Sequence, residues 1–192
     1  TGQSLEDALT QEITARLAWQ TANVILIGMP GAGKSTVGVI LAKTLAMDFV
    51  DGDLEICKET GKTLQEILDN EGKEAFLDIE NRVICGLNPH HTVVATGGSV
   101  PLEPEAMGHM KDIGTVIYLK VELEELRARL SNIKTRGIAF GPGESLDTLY
   151  AQRVPIYESW AEITIAADPN RNDIENMVDQ IVAALEQRKE QC

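Results

Sequence analysis

Short apolar runs alternate along this chain with longer stretches whose apolar positions repeat at helical spacing. Asn23 to Ile27, Thr92 to Thr96 and Thr115 to Leu119 carry no charge, as strands buried on both faces require. Asp48 to Asp53 is a fourth run, ending in two acids, and Ile163 to Ala166 a fifth. Between them the pattern predicts helices over Val37 to Ala46, Leu54 to Glu59, Leu64 to Asn70, Lys73 to Leu87, Glu103 to Lys111, Glu122 to Leu130, Leu146 to about Ala161 and Asp173 to Gln187. Gly61 and Gly72 punctuate the second, third and fourth of these. Strands alternating with helices at this spacing imply parallel βαβ units. The expected fold is α/β, three layers (α/β/α) around a parallel five-stranded sheet.

Two stretches stand outside that alternation. Residues 4 to 18 read as an amphipathic helix, with Ser4 as cap, Asp7 three residues on and Leu5, Leu9, Ile13 and Leu17 on one side. The expected organisation is an N-terminal helical extension over 1–22 and one domain over 23–192. Ser131 to Glu144 breaks the pattern with Gly137, Gly141, Pro142 and Gly143, and a glycine-rich excursion of that length inside a domain reads as a mobile lid.

Charge narrows the partners. Lys and Arg number 17 against 30 Asp and Glu, a net charge of −13 that repels phosphate backbones and anionic lipid. Neither nucleic acid nor a membrane surface is expected as a partner; a small-molecule substrate is, with the chain a monomer or weak homodimer. Cys57, Cys85 and Cys192 form no C-x-x-C pair, and His90, His91 and His109 lack ligand spacing, so the chain reads as cytoplasmic, without disulfide framework or zinc site. No run reaches the length of a membrane span, and the first residues have no signal-peptide pattern.

The densest chemistry lies between the first strand and the first helix. Gly28-Met29-Pro30-Gly31-Ala32-Gly33-Lys34-Ser35 matches the G-x-x-x-x-G-K-[ST] phosphate-binding loop and is followed by Thr36. Glycines at 28, 31 and 33 let the backbone turn and aim N–H groups at a phosphate, and the helix N-terminus adds its positive end. Lys34 would reach the β- and γ-phosphates of a nucleoside triphosphate and Ser35 would ligate Mg²⁺. Asp51 and Asp53 end a neighbouring strand, and alternation along it would leave both on one side, toward the phosphates. One would hold Mg²⁺ or its water and the other accept a proton from an attacking hydroxyl; a D-G-D turn with solvated acids is the plainer alternative.

Beyond the loop, the chain resembles the shikimate kinases. The resemblance rests on Gly28 to Gly38, Phe49-Val50-Asp51-Gly52-Asp53, Thr60 to Ile67, Glu71 to Phe76, Glu80, Ala95-Thr96-Gly97-Gly98 and Arg153-Val154-Pro155-Ile156-Tyr157, and spans about residues 23 to 188. It implies a P-loop small-molecule kinase that uses ATP and Mg²⁺. Lys34, Ser35 and the loop would handle phosphates and metal, with Asp51 near the metal. Asp53 would contact the acceptor hydroxyls as base or orienter, Gly97 and Gly98 would line the acceptor pocket, Glu80 would hold acceptor-side residues in place, and Arg153 would grip the acceptor's carboxylate. Arg129 and Arg136 resemble the arginines at the start of the family's lid that meet the nucleotide phosphates. The Asp168 to Asn172 turn, with Arg171, sits where the family places its adenine loop.

Three departures bear on the acceptor and lid. The family's F-R-x-x-E motif reads Phe76-Leu77-Asp78-Ile79-Glu80, so Leu77 stands where an arginine would share the carboxylate grip. Arg82 lies five residues on, off the helical face of Leu77 and Glu80. The loss of a charge-assisted bidentate contact costs about 1.5–3 kcal/mol. The third glycine of the family's G-G-G is Ser99, and its R-P-L reads Arg136-Gly137-Ile138. The expected activity is ATP-dependent phosphorylation of a hydroxyl on a small carboxylated metabolite, with shikimate first by resemblance. A kinase of homoserine or gluconate is the first alternative, and a catalytically weak nucleotide-binding module the second.

Overall fold

The computed structural model describes residues 22–131, 145–168 and 174–191, together with Ser4, Asp7, Ala8 and Thr10. Strands β1 (Asn23–Ile27), β2 (Asp48–Asp51), β3 (Thr92–Ala95), β4 (Gly114–Lys120) and β5 (Ile163–Ala166) form one parallel sheet in the order β2-β3-β1-β4-β5. The described helices are α1 (Lys34–Leu45), α2 (Gly52–Thr60), α3 (Leu64–Gly86), α4 (Pro104–Ile113), α5 (Leu123–Ser131), α6 (Leu146–Trp160) and α7 (Ile174–Gln191), with a 3-10 turn at Val100–Leu102. The α/β reading and the parallel five-stranded sheet hold.

Burial explains the uninterrupted apolar runs. Successive strand residues face opposite sides of a sheet, and every residue of β1 and of β3 is buried, so both faces are covered there. β1 pairs with β3 through Val24–Val93, Ile25–Val94 and Leu26–Ala95, and with β4 through Ile27–Tyr118. Asn23 is the polar exception at the base of β1: its amide donates to the carbonyls of Pro89 (2.8 Å) and Ile113 (2.9 Å) and accepts from Thr92 N–H (3.0 Å). One side chain thus ties the starts of three strands. α1 packs against α7, and Gly38 lets α1 approach β2 closely, because a Cβ there would meet the Phe49 ring at 2.5 Å. A smaller apolar cluster of Ile56, Ile67, Phe76 and Val83 joins α2 to α3.

Several boundaries move. The first helix begins at Lys34, three residues before the expected Val37, because the loop hands the chain directly into the first helical turn. β2 ends at Asp51, and Gly52 already starts α2, so Asp53 is a helical residue and strand alternation does not relate the two acids. Asp51 is the N-cap of α2, its Oδ1 accepting from Asp53 N–H at 3.0 Å. The two helices expected on either side of Gly72 run as one element, with Gly72 at φ 86°, ψ 175° as the break between them. Thr63 opens α3 with a capping box: its hydroxyl accepts from Glu66 N–H and the Glu66 carboxylate accepts from Thr63 N–H at 2.7 Å. No described helix is long and apolar enough to cross a membrane. The expected extension over 1–22 and the lid over 131–144 fall, save Ala22, Ser131 and the isolated N-terminal positions, outside the described residues.

Candidate active site

In a sheet ordered 2-3-1-4-5, the strand carrying the loop is flanked by β3 and β4, and ligands of such sheets sit at the carboxyl ends of the strands. The cleft found there is lined by loop residues Pro30, Gly31, Gly33, Lys34 and Ser35 on one side. Asp53, Glu80, Gly97, Gly98 and Arg153 line the other. Residues from α1, α2, α3, the segment after β3 and α6 therefore converge on one cleft.

The loop has the backbone that its glycines permit. Gly31 and Gly33 lie at φ 84° and 91°, where any Cβ is strained, and Ala32 N–H closes the turn onto the Met29 carbonyl at 3.0 Å. Lys34 is buried, with Nζ donating to the carbonyls of Gly28 (2.9 Å) and Met29 (3.0 Å), which folds the ammonium back over the loop. Ser35 opens on the cleft, whereas Thr36 is exposed on the first turn of α1 and does not line it. Arg129, in the last turn of α5, lies against the loop: Nη1 donates to the carbonyls of Gly31 (3.3 Å) and Ala32 (3.2 Å), while Nε and Nη2 are held by Glu125. The two arginines expected further on, Arg136 and Arg171, lie outside the described residues.

Of the two acids, Asp53 lines the cleft and Asp51 does not. One Asp51 oxygen is occupied in capping α2. The plainer alternative, a D-G-D turn with solvated acids, does not include this cap.

The wall formed after β3 is built by close approach. A Cβ on Gly97 would stand 2.1 Å from Glu80 Oε1 and 3.1 Å from Asp53 Oδ1, so only glycine leaves both carboxylates room. A Cβ on Gly98 would meet the Pro30 ring at 2.8 Å, which presses this wall against the phosphate loop. Thr96 enters the wall with its hydroxyl on the Leu26 carbonyl at 2.9 Å. From the other side α6 clamps it. Arg153 Nη1 (3.3 Å) and Tyr157 Oη (2.6 Å) both donate to the Gly98 carbonyl, and Trp160 Nε1 donates to the Pro101 carbonyl at 3.1 Å. The sequence points to Arg153 here but not to the roles of Tyr157 and Trp160. Their spacing of four and three residues after Arg153 and Tyr157 in turn puts them along its side of the helix, which is the available signal.

Glu80 is the buried carboxylate of this wall. Its Oε2 accepts from Ser99 Oγ at 2.5 Å, and its Oε1, buried beside Gly97, has no hydrogen-bond partner among the described residues. Burial pushes its carboxyl up to about 7; the Ser99 hydrogen bond opposes this, the Asp53 charge adds to it, and Arg153 and Lys34 oppose it more weakly. Burial likewise raises Tyr157 to about 12, against the opposing charge and hydrogen bond of Arg153. Leu77, expected at the acceptor, is not in the cleft wall; it packs against the apolar cluster between α2 and α3. Phe76 and Leu64 line the cleft in that region. Arg82 points elsewhere too, paired with Glu59 at 3.1 Å on the surface.

A buried phosphate-loop lysine, a carboxylate and a buried arginine facing one cleft is an arrangement suited to phosphoryl transfer onto a small anionic acceptor. The comparisons agree. The family model described as shikimate kinase matches residues 30–186. Shikimate kinase 1 of Enterobacter sp. (strain 638) is 38% identical over 168 residues, covering 85% of this chain and 96% of that protein. A shikimate kinase from Acinetobacter baumannii, solved in complex with shikimate, superposes with a TM-score of 0.80 at 29% identity, covering 91% of this chain and 98% of that one. The shikimate kinase of Bacteroides thetaiotaomicron gives a TM-score of 0.73 at 28% identity, covering 86% and 99%.

Proposed function

The chain belongs to the shikimate kinase family, and from that membership and the make-up of its cleft we propose that it transfers the γ-phosphoryl group of ATP to a hydroxyl of shikimate. The observation that carries this reading is the meeting of Lys34 and Ser35 of the phosphate loop with Asp53 and Arg153 in one cleft.

The roles follow from chemistry and position. The loop N–H groups and the N-terminus of α1 receive the phosphates, and the Lys34 ammonium exchanges loop carbonyls for phosphate oxygens. Arg129, already resting on Gly31 and Ala32, adds positive charge at the loop. Asp53 orients the attacking hydroxyl and accepts its proton. Arg153 meets the acceptor's carboxylate; its Nε is buried without a partner among the described residues, so the guanidinium retains donor capacity. Ser35, which opens on the cleft, would supply a hard oxygen donor of the kind Mg²⁺ prefers, and Asp51, outside the cleft lining and capping α2 with one oxygen, would meet the ion through its water shell. When bound it would neutralise charge between the β- and γ-phosphates. Arg136 is proposed, by the family resemblance alone, to come onto the transferring group.

The test is ADP release with Mg·ATP against shikimate, homoserine, gluconate and a no-acceptor control. Saturable turnover on shikimate is expected. Silence on shikimate with turnover of another alcohol would overturn the acceptor, and silence on all would overturn the kinase reading.

A further inference from the structure

The two departures on the acceptor side, at 77 and 99, both bear on one carboxylate, that of Glu80: Ser99 by contact and Leu77 by leaving it without a cation at that position. Leu77 lies three residues before Glu80 on α3, where a basic side chain would reach that carboxylate along the helix face. Instead it packs into the apolar cluster, so α3 gives Glu80 no charge partner at that position. Across the cleft, a glycine at 99 would offer no side-chain donor, whereas Ser99 is buried with its hydroxyl on Glu80 Oε2. The other oxygen then sits beside Gly97, near Asp53, without a partner among the described residues.

We infer that Ser99 is a positioning residue of the acceptor pocket: by holding one oxygen of Glu80 it fixes the carboxylate with its second oxygen at the Gly97 wall, compensating for the missing cation at position 77. The inference deepens the proposed function and its kinetic part rests on that reading. The groups that face Glu80 are Asp53 from α2, Lys34 from α1 and Arg153 from α6, besides Ser99 itself. Asp53 and burial oppose its ionisation, and Ser99 is the strongest of the groups that favour it. Removing the hydroxyl therefore shifts Glu80 toward the protonated form and frees it to turn.

The experiment is a cycle of Ser99→Ala, Leu77→Arg and the double variant, with Ser99→Thr as the conservative control. Two readouts are used: the titration of Glu80 by carboxyl-¹³C NMR without any substrate, and acceptor KM against kcat across pH. Ser99→Ala is expected to move the Glu80 midpoint upward, to raise acceptor KM about tenfold with ATP KM unchanged, and to move the acidic limb of kcat/KM for the acceptor to higher pH. Ser99→Thr keeps the wild-type midpoint, and in the Leu77→Arg background the effect of Ser99→Ala shrinks. An unmoved Glu80 midpoint in Ser99→Ala, or effects at 77 and 99 that simply multiply, would overturn the inference. A wild-type protein inactive on shikimate would overturn the proposed function, while the NMR titration would still decide the role of Ser99.

Discussion

Arg153 and Tyr157 donate to the same oxygen, the carbonyl of Gly98, at 3.3 and 2.6 Å. One turn of α6 thus holds the backbone of the acceptor wall while keeping a guanidinium at the cleft. Tyr157 is the shorter bond, so Arg153 is the partner more able to leave it for a ligand. Tyr157→Phe removes the fixed hydrogen bond and is expected to lower kcat/KM for the acceptor about tenfold, consistent with a buried carbonyl losing about 1–2 kcal/mol of hydrogen bonding. Arg153→Ala is expected to raise acceptor KM by about ten- to a hundredfold with little change in ATP KM. Steady-state kinetics with each substrate varied would separate the two; equal effects on ATP and acceptor would contradict the assignment.

Asp53 and Lys34 both line the cleft, and the roles proposed for them, Asp53 on the acceptor and Lys34 on the nucleotide, can be tested separately. Asp53→Asn keeps the shape and loses the base, and kcat is expected to fall about 10²–10⁴-fold with nucleotide binding retained. Lys34→Ala removes a charge that favours the transferring phosphoryl and is expected to lower kcat about 10²–10³-fold. Nucleotide binding by calorimetry beside turnover checks both. An Asp53→Asn protein of full activity would remove the assigned base.

Gly97 is enclosed by two carboxylates, so its smallest replacement is informative. Gly97→Ala forces a methyl group to within 2.1 Å of the present position of Glu80 Oε1. Overpacking of this kind costs about 1–3 kcal/mol, and relief requires Glu80 to move. Denaturant midpoint and acceptor KM are both expected to worsen, with ATP binding largely kept. A Gly97→Ala protein with wild-type acceptor KM would mean that the wall is softer than its contacts imply.

Glu80 makes stability depend on pH in a definite direction. Its folded value, raised to about 7, exceeds its ordinary value of 4.5, so between these pH values the native state holds more protons than the unfolded state. The contribution of this group to stability is therefore greatest below about pH 4.5, declines as pH rises toward 7, and stays low above that. Glu80→Gln removes this dependence. The difference in unfolding free energy between variant and wild type is expected to move in the variant's favour from about pH 5 to about pH 8, by an amount on the order of a few kcal/mol. Urea titrations at the two pH values measure it, and a difference independent of pH would refute the raised value.

Much of this protein can be read from the chain alone, for a physical reason in each case. Asn23 to Ile27 announces a central parallel strand because both of its faces must be apolar, and the glycines at 31 and 33 announce the phosphate loop because their φ values exclude a Cβ. Lys34, Asp53, Gly97, Gly98 and Arg153 are legible as a set because family motifs preserve spacing, and the topology brings them to one sheet edge. Tertiary structure decided what depends on neighbours distant in sequence. That Asp51 caps a helix turned on where β2 stopped, and Leu77 lies outside the cleft lining because the cluster between α2 and α3 offered it an apolar site. The bond from Ser99 to Glu80 joins residues 19 apart whose meeting is fixed by the packing of α3 against the segment after β3. Local pattern carries propensity and backbone freedom; which buried polar atoms find each other is settled only when the layers close.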